Sequence, residues 1–326
     1  MDSRQLRYFA AIFEEGALAR AAERERVAVS ALSRHLSNLE AELGTPLFER
    51  LPRGVRPTAS GVRLYEHARA ILRSMEAAEA DIKATGTEVA GEVSVGFAHS
   101  AVKAIGVPLM IEVSRTYPNI RLHLSEIFSG STVEQLSSSS VDLTLTYNQL
   151  PDPRFRFLPV LEEDVVLVGR PDIIGGRGAI TFDALLELPL IILRQGVNTR
   201  AVMDDPSLLK RIEARAQFQM NSIAAIGDSL LAGIGCLVGT EFILREHLAS
   251  GDLVSRPIIN PKLNRTLYIG ELSDRPATFA LEAVRDLCLA LTLQAIASKH
   301  WCATATPPLV QRLQHSGDGP GMDRPH

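Results

Sequence analysis

Apolar residues near the start of the chain recur with helical spacing. Leu6, Phe9, Ala10 and Phe13 fall at i, i+3, i+4 and i+7, one helix face that ends at Gly16. An alanine-rich helix is predicted from Ala17 to about Arg24, then a tight connection, then a helix carrying Ala31, Leu32, Leu36, Leu39 and Leu43 and stopped by Gly44. Short helices this close, the last pair joined by a tight turn, predict a helix-turn-helix. Residues 47–57 read as two short strands around Pro52, Arg53 and Gly54, a wing. One long helix is predicted from Ala59 to about Thr85. Its residues Leu64, Ala68, Ile71, Met75, Ala78 and Ile82 keep a heptad spacing without a slip. A lone helix cannot bury such a stripe, which predicts a dimerising linker; the alternative is a helix packed on its own domain. A hinge is expected at Gly86-Thr87-Glu88 and Ala90-Gly91.

Beyond the hinge, strand and helix patterns alternate. Glu92 to Phe97 reads as a strand, a helix runs through Leu109 to Tyr117, and Ile120 to Leu124, Val141 to Thr146 and Val165 to Val168 read as further strands. Such alternation predicts an α/β domain with a mostly parallel sheet. The end of the chain is rich in Thr, Pro, Gly and Asp without periodicity, which predicts a disordered tail. The expected organisation is a winged helix-turn-helix head over 1–58, a linker helix and hinge over 59–90, an α/β domain over 91–300 and a tail over 301–326.

Composition narrows the choices. The chain has 326 residues, 46% hydrophobic and 22% charged, with a net charge of −4, which excludes wholesale disorder. No run approaches the roughly 18 apolar residues of a membrane span; the most apolar stretch, Ala184 to Leu193, is broken by Glu187 and Pro189. The first residues lack a signal-peptide pattern, and Cys236, Cys288 and Cys302 are odd in number and far apart, so a reducing, cytoplasmic home is expected. Residues 1–60 carry Arg4, Arg7, Arg20, Arg24, Arg26, Arg34, Arg50, Arg53 and Arg56 but no Lys. Arg makes bidentate contacts to phosphate and guanine. Glu residues nearly cancel that charge, so charge alone fits an ordinary surface as well.

The order of short motifs is more specific. Leu6-Arg7-Tyr8-Phe9, Ala21-Ala22, Ala31-Leu32-Ser33-Arg34, Leu43-Gly44, Leu47-Phe48-Glu49-Arg50, Arg53-Gly54-Val55 and Pro57-Thr58-Ala59-Ser60-Gly61 together resemble the LysR family of bacterial transcriptional regulators, over about residues 2 to 296. Tyr117-Pro118-Asn119-Ile120, Gly233-Ile234-Gly235 and Gly251-Asp252-Leu253-Val254 are similar to that family's effector domain. Tyr147-Asn148 and Leu161-Glu162-Glu163-Asp164 look most like the branch that includes nitrogen-assimilation-control regulators. The resemblance implies a winged helix-turn-helix, a linker helix and two α/β lobes like those of periplasmic binding proteins. Two crossovers between the lobes are placed near Leu161 and Leu267.

The resemblance also implies site residues. DNA is expected to meet Ala28, Val29, Ser30, Ser33 and Arg34 at the start of the recognition helix, Arg50 and Arg53 on the wing, and Thr58. Arg34 can fork onto guanine O6 and N7. This chain departs from the family at Ala28 and Val29, where a polar run is usual, at Glu25, where a buried Leu is usual, and at Ala17, where a Ser caps the second helix. Losing a capping oxygen costs about 1 kcal/mol. A small effector, anionic in character, is expected between the lobes at His99, Ser100, Ser129, Gly130, Ser131, Leu193 and Arg194; each could equally be a capping or surface group. Expected partners are double-stranded DNA, a second copy through the linker helix and then a tetramer, and RNA polymerase. No cofactor, metal or membrane is expected.

Two other readings compete. Gly227-Asp228-Ser229-Leu230 spells the signature of a class of serine esterases, and Asp323-Arg324-Pro325-His326 spells their acid and base. Here the serine block reads as the middle of a helix, and the His lies in the predicted tail, a poor place to hold an imidazole within about 3 Å of a hydroxyl. A ligand-binding protein without DNA binding is the third reading, and the winged head argues against it. No HExxH, Walker loop or GxGxxG after a strand occurs.

Overall fold

The chain's first helix is started by its second residue. In the computed structural model, which describes residues 1–83, 89–147, 151–193 and 203–316, Asp2 accepts from the Gln5 N–H and the Gln5 side chain returns to the Asp2 N–H, a capping box for α1 (Ser3–Glu15). The next helices, α2 (Leu18–Glu25) and α3 (Val29–Leu43), begin at Ala17 and Ala28, and neither alanine offers a side-chain cap. Both expected losses of a capping oxygen are therefore present. Gly16 and Gly44 end α1 and α3 where periodicity placed the stops.

The wing is a hairpin of β1 (Phe48–Leu51) and β2 (Gly54–Pro57), with Leu51 opposite Gly54. Gly54 has φ 95°, and a Cβ there would lie 2.4 Å from the Gly16 carbonyl oxygen. That same oxygen accepts from the Val55 N–H at 2.9 Å, so the wing is bonded to the end of α1. Gly54→Ala combines a left-handed backbone with a backbone clash, and should destabilise the head by about 2–3 kcal/mol. A lowered melting temperature with weaker DNA retention would show it; unchanged melting would mean the wing is not held this way.

The head's core gathers Leu6, Phe9, Ile12, Ala21, Ala22, Leu32, Leu39, Leu47 and Val55. The long helix α4 (Ala59–Lys83) closes it from one side. Ala68 is fully buried, Leu64, Tyr65 and Leu72 pack against the cluster, and the Tyr65 ring stacks on Phe13 at 3.9 Å. The heptad stripe is thus divided. Leu64 and Ala68 belong to the head, whereas Ile71, Met75, Ala78 and Ile82 are exposed. Most of the expected hinge, residues 84–88, lies outside the described residues.

The head, Met1–Gly91 with Ser137–Ser140, is one compact unit, and Glu92–Leu136 with Val141–His326 is a second. In chain order the second unit carries β3 (Gly91–Phe97), α5 (His99–Ala101), a π-helical turn over Val102–Gly106, α6 (Val107–Thr116), β4 (Ile120–Glu126), α7 (Thr132–Ser137), β5 (Leu143–Tyr147) and β6 (Phe155–Gly169). It continues with α8 (Pro171–Ile174), β7 (Ile180–Thr181), α9 (Phe182–Leu185), β8 (Leu190–Leu193), α10 (Pro206–Arg215), β9 (Phe218–Met220), α11 (Ile223–Leu231) and β10 (Cys236–Gly239). The last elements are α12 (Arg245–Ser250), β11 (Val254–Ile259), β12 (Leu263–Leu272), α13 (Phe279–Ala297), β13 (Thr304–Ala305) and α14 (Pro307–Ser316).

Strand order β4-β3-β5-β12-β6-β10-β8-β9 runs through two lobes. The outer pairs β3–β5, β8–β10 and β8–β9 are parallel, as the alternating pattern predicts. The long strands β6 and β12 are antiparallel to each other and to neighbours on either side, so the sheet is mixed rather than mostly parallel. These two strands are the crossovers. Leu161 pairs with Leu267, and the register shifts between Leu267 and Tyr268, at the positions the sequence placed them.

The expected tail over 301–326 is corrected over its described part. Trp301 and Leu309 are fully buried, β13 pairs with β6 at Glu162 and Leu161, and α14 follows. Composition weighted the Thr and Pro residues and missed these two anchors; residues 317–326 lie outside the described set.

Candidate nucleic-acid interface and interlobe site

Helical phase decides which side of α3 is available. Leu32 and Leu39 are buried in the head, with Leu36 packed beside them. At 100° per residue the opposite side carries Ser30, Arg34 and Ser37, with Ser33 at its edge, while Val29, three residues before Leu32, falls on the Leu32 side at the start of the helix. Val29 is 47% exposed, and Ser30, Arg34 and Ser37 are exposed. Ser37 shares this face and was not among the expected contacts, although its spacing from Ser30 and Ser33 carries that signal. Ala28 sits at the N-cap, so the helix presents its first N–H groups without an internal side-chain acceptor.

Ion pairing divides the head's arginines. Arg20 and Arg24 are paired with Glu15 and Glu14, and Arg56 with Glu49 at 2.6 Å. Arg34, Arg50 and Arg53 are exposed and make no ion pair of this kind among the described residues, with Arg53 at the tip of the hairpin. Thr58 is different. Its hydroxyl donates to the Pro46 carbonyl at 2.8 Å and accepts from the Gly61 N–H at 3.0 Å, so it caps α4 and has no proton left for a phosphate.

In the second unit, one buried cluster joins the lobes. Glu163 on β6 is 1% exposed. Its Oε2 accepts from Arg265 Nε at 2.9 Å, Arg265 Nη2 at 2.8 Å and the Tyr147 hydroxyl at 2.8 Å; its Oε1 accepts from the Trp301 indole at 2.8 Å. Arg265 on β12 also donates to Ser100 Oγ at 3.0 Å and Thr240 Oγ1 at 3.1 Å, and lies over the Tyr147 ring at 3.8 Å. Ser100 follows β3 in one lobe and Thr240 follows β10 in the other. Burial pushes the Tyr147 phenol well above its ordinary range, which keeps it a donor.

The expected effector residues fare unevenly. His99 and Ser100 lie at the end of β3 beside the 129–131 turn after β4: His99 Nδ1 is 3.1 Å from Glu126 Oε1, and the Ile127 N–H bonds the Phe97 carbonyl. The Ser131 hydroxyl donates to the Phe128 carbonyl at 2.9 Å, and Gly130 is half-buried. Leu193 does not line a surface there: it is 6% exposed inside the core of the second lobe. Arg194 lies outside the described residues, and of the Ser129 side chain nothing is described. The cluster that sequence reasoning missed is Glu163, Arg265, Tyr147 and Trp301.

Chains of known kind share both parts. Residues 3–62 match the family model described as a bacterial regulatory helix-turn-helix protein of the lysR family, and residues 86–292 match the LysR substrate binding domain. The chain belongs to the LysR family of bacterial transcriptional regulators. It is similar to the nitrogen assimilation regulatory protein nac of Klebsiella aerogenes, 30% identical over 292 residues, covering 89% of this chain and 95% of that protein. Its fold is similar to a full-length OxyR variant from Pseudomonas aeruginosa, TM-score 0.67 at 22% identity, over 90% of this chain and 95% of that one. It is also similar to full-length CbnR complexed with its target DNA, TM-score 0.59 at 21% identity, over 89% and 100% of the two chains.

As a LysR-type regulator the chain is a DNA-binding protein with an effector-binding domain. The esterase reading gains no support. Gly227–Leu230 lies inside α11, where the Ser229 hydroxyl donates to the Ala225 carbonyl of its own helix at 2.7 Å. Asp323 and His326 lie outside the described residues. Among the described residues no cluster of His, Cys, Asp or Glu could hold a metal, and no helix is long and apolar enough to cross a membrane.

Proposed function

We propose that this LysR-type regulator works in the cytoplasm without enzymatic activity, reading its operator through the exposed face of α3 and the wing. The carrying observation is that Arg34, Arg50 and Arg53 lie on α3 and the wing, exposed and outside the head's ion pairs, a freedom that Arg4, Arg7 and Arg26 share but at positions off those two elements. Arg34, near the N-terminus of α3, reads a guanine in the major groove; Ser30 and Ser33 bond phosphate or base edges, and Val29 meets a thymine methyl. Arg50 and Arg53 hold the flanking backbone. Ala28 lets the helix N-terminus approach a phosphate without a side chain between them. Thr58 acts indirectly, by fixing the start of α4.

Arg34→Ala is expected to cost about 1–3 kcal/mol of specific binding and to relax preference at one base pair. Arg53→Ala should weaken binding evenly and lower the salt slope. Quantitative footprinting on genomic fragments at several salt concentrations separates them. No protected site for wild type, or two variants indistinguishable from it, would overturn this assignment.

For sensing, the reading is a small effector at the strand ends of the interlobe region, beside His99, Gly130 and Ser131, where open α/β sheets take ligands. The Glu163–Arg265 cluster lies under that turn and couples it to both lobes through Ser100 and Thr240. The DNA-bound form is a dimer paired through α4, assembling further into a tetramer that engages RNA polymerase.

A further inference from the structure

We propose, resting on the sensing reading above, that the effector taken between the lobes carries no acid group: the place for one is filled by the chain's own Glu163. A carboxylate taken out of water needs donors in its place. Glu163 has them from three parts of the chain: Arg265 Nε and Nη2 on β12, the Tyr147 hydroxyl on β5 and the Trp301 indole, at 2.8–2.9 Å. Both carboxylate oxygens are bonded, and the residue is 1% exposed. Arg265 Nη2 also bonds Ser100 Oγ after β3 and Thr240 Oγ1 after β10, one in each lobe. Groups gathered from both lobes around one buried carboxylate are what a two-lobed domain needs to hold an acidic ligand. Here β6 supplies the carboxylate.

The cations after β3 are matched as well. His99 Nδ1 lies 3.1 Å from Glu126 Oε1, and Lys103 Nζ lies 3.4 Å from Glu246 Oε1 on α12. The Glu126 and Glu246 side chains are 50% and 85% exposed, so an anion arriving beside His99 or Lys103 meets carboxylates that face water and repel it. To pair with either cation it must displace one of them. The Ser131 hydroxyl donates to the Phe128 carbonyl and keeps its oxygen as an acceptor, which suits a hydroxyl or amide donor on an uncharged molecule. Removing the Glu163 side chain reverses the case. The Arg265, Tyr147 and Trp301 donors then surround the space of the missing CH₂–COO⁻, which is that of acetate, and the chain should take its acid group from solution.

Thermal melting and footprinting on genomic fragments test this with the full chain, wild type and Glu163→Ala, in sodium acetate, succinate and chloride at equal ionic strength. In chloride, Glu163→Ala should melt earlier than wild type and bind its operator about tenfold or more weaker. Acetate should raise its melting temperature by about 3 °C or more and recover most of that affinity, while wild type answers to neither carboxylate. A wild type shifted by acetate or succinate overturns the inference and leaves the sensing site in place. Glu163→Ala that folds in neither acetate nor chloride, or behaves alike in both, overturns it too. A variant that melts early yet footprints as wild type in chloride shows a cluster that only holds the fold; that result overturns both the inference and the coupling read between cluster and sensing turn.

Discussion

Glu163→Ala should destabilise the effector domain by about 3–5 kcal/mol, the range for removing one partner of a buried ion pair. The cause is what remains. Arg265, 6% exposed in its side chain, would keep a buried charge without the carboxylate that now pairs with it, and the Tyr147 and Trp301 donors would lose their Glu163 acceptor. Glu163→Gln keeps the volume and one acceptor oxygen, so a smaller loss of about 1–3 kcal/mol is expected. The chain has one tryptophan and it touches Glu163, so urea unfolding followed by Trp301 fluorescence reports this domain alone. Faster amide exchange around Ser100 and Thr240 should accompany the loss, because Arg265 ties both to the crossover. A midpoint for Glu163→Ala within experimental error of wild type would show that the cluster does not hold the lobes.

That cluster was the part least legible in the sequence. Glu163 and Arg265 are 102 residues apart, and Glu163 and Trp301 are 138 apart, so no local spacing links them. One signal was present. Along β6, Leu161, Glu163 and Val165 are buried while Glu162 and Asp164 are exposed, a period of two that puts Glu163 on the inner face. The three consecutive acids enter the sequence reading only through a family resemblance, and the predicted strand covers Val165 to Val168 alone.

The head was legible for the opposite reason. Its helices are amphipathic within a few turns, its stops are glycines, and its motifs are contiguous, so α1, α3 and the hairpin follow from local pattern. Exposure was legible where it followed helical phase, as for Ser30 and Arg34. It was not where a hydroxyl had internal work, as for Thr58, or where a strand residue turned into the core, as for Leu193. The final segment was misread because two large anchors, Trp301 and Leu309, were outweighed by the polar composition around them.

Aspartate at both Ile71 and Met75 should convert the protein to a monomer and abolish cooperative half-site binding. The stripe on α4 is divided: Leu64 and Ala68 are committed to the head, and Ile71 and Met75 are 41% and 45% exposed and Ile82 85% exposed. Exposed apolar residues continuing a heptad past the end of a core mark a pairing surface. One winged head reads one half-site, and pairing two heads supplies the contact a genomic search needs. Burying two carboxylates in the seam costs several kcal/mol, on the order of a dimer's stability margin. The substituted positions are exposed in a single chain, so the head should keep its melting temperature. Ala68→Asp provides the contrast, since a carboxylate at a fully buried head position should unfold the head itself. Sedimentation at micromolar concentration, together with footprinting on a two-half-site operator, distinguishes these cases. A wild type that sediments as a monomer, or a double variant that remains dimeric, would place the pairing surface elsewhere than on α4.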